Sequence, residues 1–216
     1  AFVGSKLLVA ISNGTILILN PDGSLSAKAI VPTGNDATSI IEGSDGSALV
    51  GVANDGIYRL ELSTGKMSLM LPVEGKFPGI HLCMATDGDI FAGVHGIGLL
   101  RYNPSDKSVK WYYNEEYLDR LTNNYIASLH RSADNKIWIG LYGGLACYDC
   151  KGDSLMKIDQ RDFLKRTTSS FEDGPDGSVY MATTLGLIHY HPDKGVIRPY
   201  STEAGLSNHK IRSLTT

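Results

Sequence analysis

No run of 18 or more apolar residues occurs in the chain, so nothing in it reads as a transmembrane helix. A basic excess is missing too: 20 Lys and Arg face 23 Asp and Glu, for a net charge of −3. That excludes a phosphate-backbone binder, which needs a basic face, and no nucleic acid contact is expected. Cysteine is scarce. Cys83, Cys147 and Cys150 are an odd set that cannot all pair within one chain. The CYDC stretch at 147–150 sits on an apparent strand. Three extended residues there span roughly 10 Å, too far for a disulfide unless the chain turns. With no second CxxC pair, zinc has little support. HExxH, GxSxG and P-loop motifs are all absent. GIGLLR at 96–101 lacks the third glycine of a dinucleotide fingerprint, because Arg101 stands there. The opening AFVGSKLLVAISNG has one Lys and a short apolar run, which is not a full signal peptide. A mature chain would have lost one, so composition leaves the compartment open.

What is present is a repeat. The 24 glycines suit many tight turns, and a 42% hydrophobic content supplies a core. Four segments align without gaps: DGSALVG from Asp45, DGDIFAG from Asp87, DNKIWIG from Asp134 and DGSVYMA from Asp176. Their starts are 42, 47 and 42 residues apart. After each comes a second signature: GIYRL from Gly56, GLLRY from Gly98, GLACY from Gly144 and GLIHY from Gly186. A degenerate fifth copy opens the chain, with GSKLLVA from Gly4 and GTILI from Gly14.

Each column has a physical meaning. Asp-Gly or Asp-Asn marks a hairpin turn with positive φ. Leu49, Phe91, Trp138 and Tyr180 share a column that reads as a strand buried on both faces. Gly51, Gly93, Gly140 and Ala182 end that strand with a small residue, where another backbone comes close. A third strand ends in Leu60, Tyr102, Tyr148 or Tyr190, and another strand precedes each Asp, carrying Ile40, Leu82, Leu129 and Phe171. Turns such as NPSDK and HPDKG lead to a fourth strand, clearest in KSVKWYY and GVIRPYS. Four antiparallel strands in about 42 residues make one propeller blade. A β-solenoid is the alternative, but its coils are shorter.

The predicted fold is therefore an all-β propeller of about five blades. They cover 1–36, 37–78, 79–124, 125–166 and 167–209. NEEYLDRL at 114–121 reads as an inserted helical turn that accounts for the 47-residue spacing, and RDFLKR at 161–166 as a shorter relative. The chain opens without the first strand of its own blade and ends in KIRSLTT, a first strand with no blade after it. The segment 210–216 is therefore expected to close a five-blade ring. The rival expectation is a fragment of a larger ring, commonly of seven blades.

KIWIGLYGGLACYD at 136–149 resembles the two-component regulator propeller repeat, whose core runs LWIGT, a short loop and GGL-x-x-Y. LTNNYIASL at 121–129 and GLSNHKIRSL at 205–214 resemble the part that introduces a blade. The resemblance covers 37–216 well and 1–36 loosely. The copies around Asp45 and Asp176 depart from it, lacking the Trp. It implies the sensor region of Bacteroides-type hybrid two-component histidine kinases. Such receptors carry two propellers, an immunoglobulin-like domain, a membrane helix, a kinase and a DNA-binding output, and they often sense oligosaccharides. It further implies a periplasmic or cell-surface location, a parent anchored in the inner membrane that dimerises, and a neighbouring propeller or immunoglobulin-like domain as partner. Similar propellers also serve secretion at the cell surface, so a docking scaffold is a second expectation and a propeller lyase a third.

For a sensor, no catalytic residue, cofactor or metal is expected in this chain. The candidate ligand residues lie in the loops between second and third strands, which line one mouth of a propeller: Asn54 with Asp55, His95, Tyr142 and Thr184. Trp111, Tyr113 and Tyr117 join them beside the inserted turn, because flat rings with polar edges suit sugars and protein interfaces alike. His189 and His191 flank a Tyr on an outer strand and are expected to be solvated. Asp87 and Asp89 read as turn residues rather than cation ligands.

Overall fold

The computed structural model describes residues 1–159, 163 and 166–215, with the backbone alone at 197. Its twenty strands form five four-stranded antiparallel sheets, each a run of four consecutive strands. The chain divides into two compact units, Ala1–Met84 and Ala85–Thr216.

The first unit holds β1 (Phe2–Val3), β2 (Lys6–Ile11), β3 (Thr15–Leu19) and β4 (Leu25–Ile30) in one sheet. β5 (Ala37–Glu42), β6 (Ala48–Val52), β7 (Gly56–Leu60) and β8 (Met67–Pro72) form the next, and β9 (Ile80–Met84) follows. Alternating residues of the two sheets meet in one core: Val3, Leu8, Ile16 and Ile18 against Val50, Val52, Tyr58 and Leu60. β6 is buried at all five positions, as a strand packed on both faces must be. The opening repeat is more complete than its sequence suggests. Phe2 and Val3 pair with Leu7 and Lys6 and supply the first strand that was expected to be missing.

The second unit holds β10 (Ile90–Val94), β11 (Gly98–Tyr102) and β12 (Val109–Tyr112). β13 (Ile126–Arg131), β14 (Lys136–Leu141), β15 (Gly144–Asp149) and β16 (Ser154–Leu155) form a sheet, as do β17 (Thr168–Asp173), β18 (Val179–Thr183), β19 (Gly186–His191) and β20 (Gly195–Tyr200). Trp138, Leu145 and Cys147 of the former pack with Phe171, Val179, Met181, Ile188 and Tyr190 of the latter. The small-residue column has the role its position implies. A Cβ at Gly140 would lie 2.3 Å from Ser128 Oγ and 2.4 Å from the Thr168 carbonyl oxygen, because the next repeat's first strand runs directly alongside. Ser128 Oγ donates to that same carbonyl at 2.7 Å.

The hairpins between first and second strands repeat one hydrogen-bond scheme. Ser132 N donates to the Lys136 oxygen at 2.9 Å, as Ala85 N does to Asp89 and Gly174 N to Ser178. Asn135 takes the positive φ of 59° that Gly takes elsewhere, since its short polar side chain tolerates the left-handed region. In the first unit Asp45 Oδ1 accepts from Ser47 N and Ser47 Oγ. Those bonds, with Arg59 beside them, hold the Asp45 carboxyl down to about 2.

NEEYLDRL, expected as an inserted helical turn, forms successive turns: Glu116 N donates to Tyr113, Tyr117 N to Asn114, and Arg120 and Leu121 N to Tyr117. RDFLKR lies mostly outside the described residues, although Phe163 is buried in the core. The closing role foreseen for 210–216 is not seen, and no closed ring is found among the described residues. The segment lies instead on the last sheet. Ile211 N donates to the Thr183 oxygen, Ser169 Oγ to the Ile211 oxygen at 2.9 Å, and Leu214 N to Ser170 Oγ at 3.2 Å. The last of these repeats the bond from Leu82 N to Ser39 Oγ, so 211–214 occupies the place of a first strand beside β17.

Candidate functional site

In an up-and-down sheet of four strands, the loops between second and third strands share an end with the connectors that follow the fourth. In the second unit this end carries 95–97, 113–125, 142–143 and 184–185. It also carries four of that unit's exposed large apolar side chains: Leu118, Tyr125, Tyr142 and Leu185. Leu118 is 70% exposed, Tyr125 53% and Tyr142 55%, well beyond what scattered surface residues of a packed sheet require.

The centre of the site is a trio of rings. His95 meets Tyr142 edge-on at 5.0 Å between centroids and Tyr125 edge-on at 5.4 Å. The expected residues His95 and Tyr142 are thus brought together, and Tyr125 joins them. Local sequence holds the trio in place. Asn123 Oδ1 accepts from Tyr125 N at 2.8 Å, while its Nδ2 donates to the Tyr142 carbonyl at 3.1 Å. Tyr142 N donates to the Tyr125 oxygen, and Gly96 N to the Asn124 oxygen. Asn124 Oδ1 accepts from Asn114 N, tying the inserted turns to the same loop. Gly96 takes a φ of 81°, which an L side chain rarely adopts, and it lies beside the Tyr125 ring. His95 Nδ1 lies 3.2 Å from the Ile126 carbonyl. A carbonyl only accepts, so Nδ1 carries the proton and the neutral ring keeps its lone pair on Nε2.

The other expected residues are placed less freely. Thr184 Oγ1 accepts from Thr167 N, and Thr184 N donates to Thr167, whose bridge to Tyr142 sets this loop beside the trio. Trp111 and Tyr113 stack at 5.7 Å with their planes 8° apart, and a Cβ at Gly98 would come within 3.2 Å of the Tyr113 ring. Tyr117 lies against the buried Tyr112 at 5.5 Å. In the first unit, Asn54 Oδ1 accepts from Phe77 N at 2.7 Å, and Asp55 Oδ2 accepts from Thr33 Oγ1 and Tyr58 OH. These two brace the connector and the third strand. Burial, then the bond to Asp55, pushes the Tyr58 hydroxyl up to about 12.

His189 and His191 are partly buried and do not lie on an outer strand. Both sit on β19, between β18 and β20. His189 stacks on Tyr180 at 4.3 Å and bonds Ser178 Oγ, and His191 Nε2 bonds the Asp176 carbonyl. None of the three cysteines is in a disulfide, and burial pushes Cys150 up to about 11. No cluster of metal-binding side chains occurs among the described residues. Asp87 Oδ1 accepts from Asp89 N, and the buried Asp89 pairs with Arg101.

At the opposite end, Arg101 is a hub. Its Nε meets Asp89 at 2.5 Å, and its Nη1 meets Asp153 and, at 3.0 Å, the Tyr148 hydroxyl, which also accepts from Tyr112 OH at 3.0 Å. This chain of groups joins the third strands of two repeats. Nothing in the spacing of the repeats announces it.

No family model matches the chain, and no curated protein matches it in sequence. Solved structures do. The extracellular domain of a hybrid two-component system of B. thetaiotaomicron, BT3049, superposes with a TM-score of 0.79 at 16% identity, over 96% of this chain and 29% of that one. PorZ, a surface component of the type-IX secretion system of Porphyromonas gingivalis, gives 0.75 at 14% identity, over 98% and 35%. A streptogramin B lyase gives 0.74 at 15%, over 100% and 70%. The chain therefore spans about a third of the first two. No helix among the described residues is long and apolar enough to cross a membrane. What these likenesses share with the chain is the fold, a β-propeller-like succession of four-stranded antiparallel sheets.

Proposed function

We propose that this chain is an extracytoplasmic ligand-sensing propeller region of a two-component receptor, and that its ligand is an oligosaccharide. The observation that carries the reading is the His95, Tyr125 and Tyr142 trio on an exposed loop end. Aromatic faces pack on the CH-rich faces of sugar rings, and the amides of Asn123 and Asn124 supply polar neighbours. The structural likeness to an extracellular domain of a hybrid two-component system supports the setting. Signal would pass as a small change in packing against the rest of a receptor, bounded by the difference in ligand affinity between its two states.

A lyase reading has one residue in its favour, since His95 with a free Nε2 is built like a general base. Among its described partners, though, there is no carboxylate, only the Ile126 carbonyl and two tyrosine rings. The sensing reading is tested by thermal shift and calorimetry against a broad glycan panel. A rise in melting temperature with a defined oligosaccharide is expected. A panel without any shift overturns it.

A further inference from the structure

We infer that His95 sets ligand choice at this site: its Nε2 accepts a hydrogen bond from a hydroxyl of a neutral, hydroxyl-rich ring seated against Tyr125 and Tyr142. The inference rests on the oligosaccharide reading and goes further, to the chemistry of the ring and the role of one atom.

Three observations meet here. First, the Ile126 carbonyl at 3.2 Å fixes the proton on Nδ1, so Nε2 is an acceptor in the neutral imidazole. Among the described residues none bonds Nε2, and His95 is only partly buried. Second, the two tyrosines that flank the ring are each more than half exposed, so apolar surface stands beside the acceptor. Third, among the described residues no Lys or Arg stacks on either tyrosine. Of the cations on and beside these loops, Arg120 pairs with Asp119 at 3.7 Å, and Arg166 Nη1 donates to the Leu185 carbonyl at 2.8 Å.

A carboxylate or sulfate brings only acceptors to a lone pair, and among the described residues no Lys or Arg stacks on the two rings beside it. A sugar hydroxyl brings a donor to Nε2 and a CH face to the rings. A site built to bond a hydroxyl rejects an analogue without it, because the site's polar group is then left unpaired.

The experiment has two arms. Isothermal titration of the whole chain uses neutral hexasaccharides (cello-, malto- and mannohexaose) and acidic ones (hexagalacturonate and a chondroitin sulfate hexasaccharide). A neutral ligand is expected to bind and the acidic ones to bind at least tenfold more weakly. Binding of acidic ligands alone overturns this inference and leaves the sensing reading standing. No binding at all overturns both. The second arm takes the ligand that binds. His95→Phe keeps a ring between the tyrosines and removes the acceptor, and the dissociation constant is expected to rise roughly 10- to 100-fold. Long-range proton–nitrogen NMR of the wild-type imidazole is expected to show the proton on Nδ1. An unchanged constant in the variant, or a proton on Nε2, overturns the assignment.

Discussion

Replacing Gly140 by Ala adds one carbon at the tightest point of the second unit. That carbon would sit 2.3 Å from Ser128 Oγ, 2.4 Å from the Thr168 oxygen and 3.0 Å from Thr168 Cβ. Two of these atoms are the donor and acceptor of one buried hydrogen bond, so the methyl group cannot be admitted without parting them. Overpacking of this kind costs about 1–3 kcal/mol. A buried hydroxyl and carbonyl left unpaired cost about 1–3 kcal/mol more. The sum, roughly 2–6 kcal/mol, corresponds to a fall of about 1 M or more in the urea midpoint at the usual slopes. Both tryptophans, Trp111 and Trp138, lie in the second unit, and Trp138 is 1% exposed, so tryptophan emission follows its unfolding. Adding Ser128→Ala removes the 2.3 Å contact but not the 2.4 Å one, and only partial recovery is expected. The same column holds Ala182 in the last repeat, where the carbon is already accommodated. Ala182→Gly there should cost only about 0.5–1 kcal/mol from chain entropy. A Gly140→Ala midpoint within 0.2 M (roughly the error of such curves) of the wild type would refute the close-approach argument.

Other consequences are checked more simply. Arg101→Met strands the buried Asp89 carboxylate, whose side chain is 4% exposed; a loss of about 3–5 kcal/mol in urea unfolding is expected, partly restored by Asp89→Asn, and a loss below 1 kcal/mol contradicts the hub. Asp45 is lowered in the folded chain to about 2 from an ordinary 3.8, so its contribution is present above pH 4 and vanishes as pH falls through 2. Asp45→Asn should flatten that limb of the melting-temperature curve; the half-exposed pair with Arg59 contributes well under about 1 kcal/mol, and an unchanged acid limb counts against the assignment. Tyr142→Ala should weaken glycan binding while leaving the urea midpoint nearly unaltered, since that side chain is more than half exposed; equal affinity would move the site elsewhere. Cys150, raised to about 11, should react slowly with a thiol reagent at pH 8 in the folded chain and far faster in urea; a fast native reaction contradicts its burial.

The repeat was legible because each of its columns answers a local steric demand. A turn with positive φ requires Gly or Asn, a strand between two layers requires apolar residues on both faces, and a close approach requires a small residue. These demands recur every 42 or so residues, and single-sequence comparison exposes them. Tyr125 was missed because it stands in a column that holds Asp36, Pro78 and Thr167 in the other repeats, so no pattern marks it. Reading that column for the one aromatic would have found it. Asn54, Asp55 and Thr184 were chosen for their place in the loop. Whether a polar side chain at such a place is free or engaged depends on the connector that passes it, here through Phe77, Thr33 and Thr167.

The sequence alone therefore determined most of the strands, the four-stranded unit and the loops that carry a site, all of which depend on neighbours within one repeat. The tertiary structure decided the rest. It brought His95, Tyr125 and Tyr142 together across 47 residues of chain, assigned the imidazole proton through the Ile126 carbonyl, and built the Arg101 hub from Asp89, Tyr148 and Asp153. Such contacts join different repeats. They depend on how one sheet is laid on the next, and no local steric rule records that in the order of the residues.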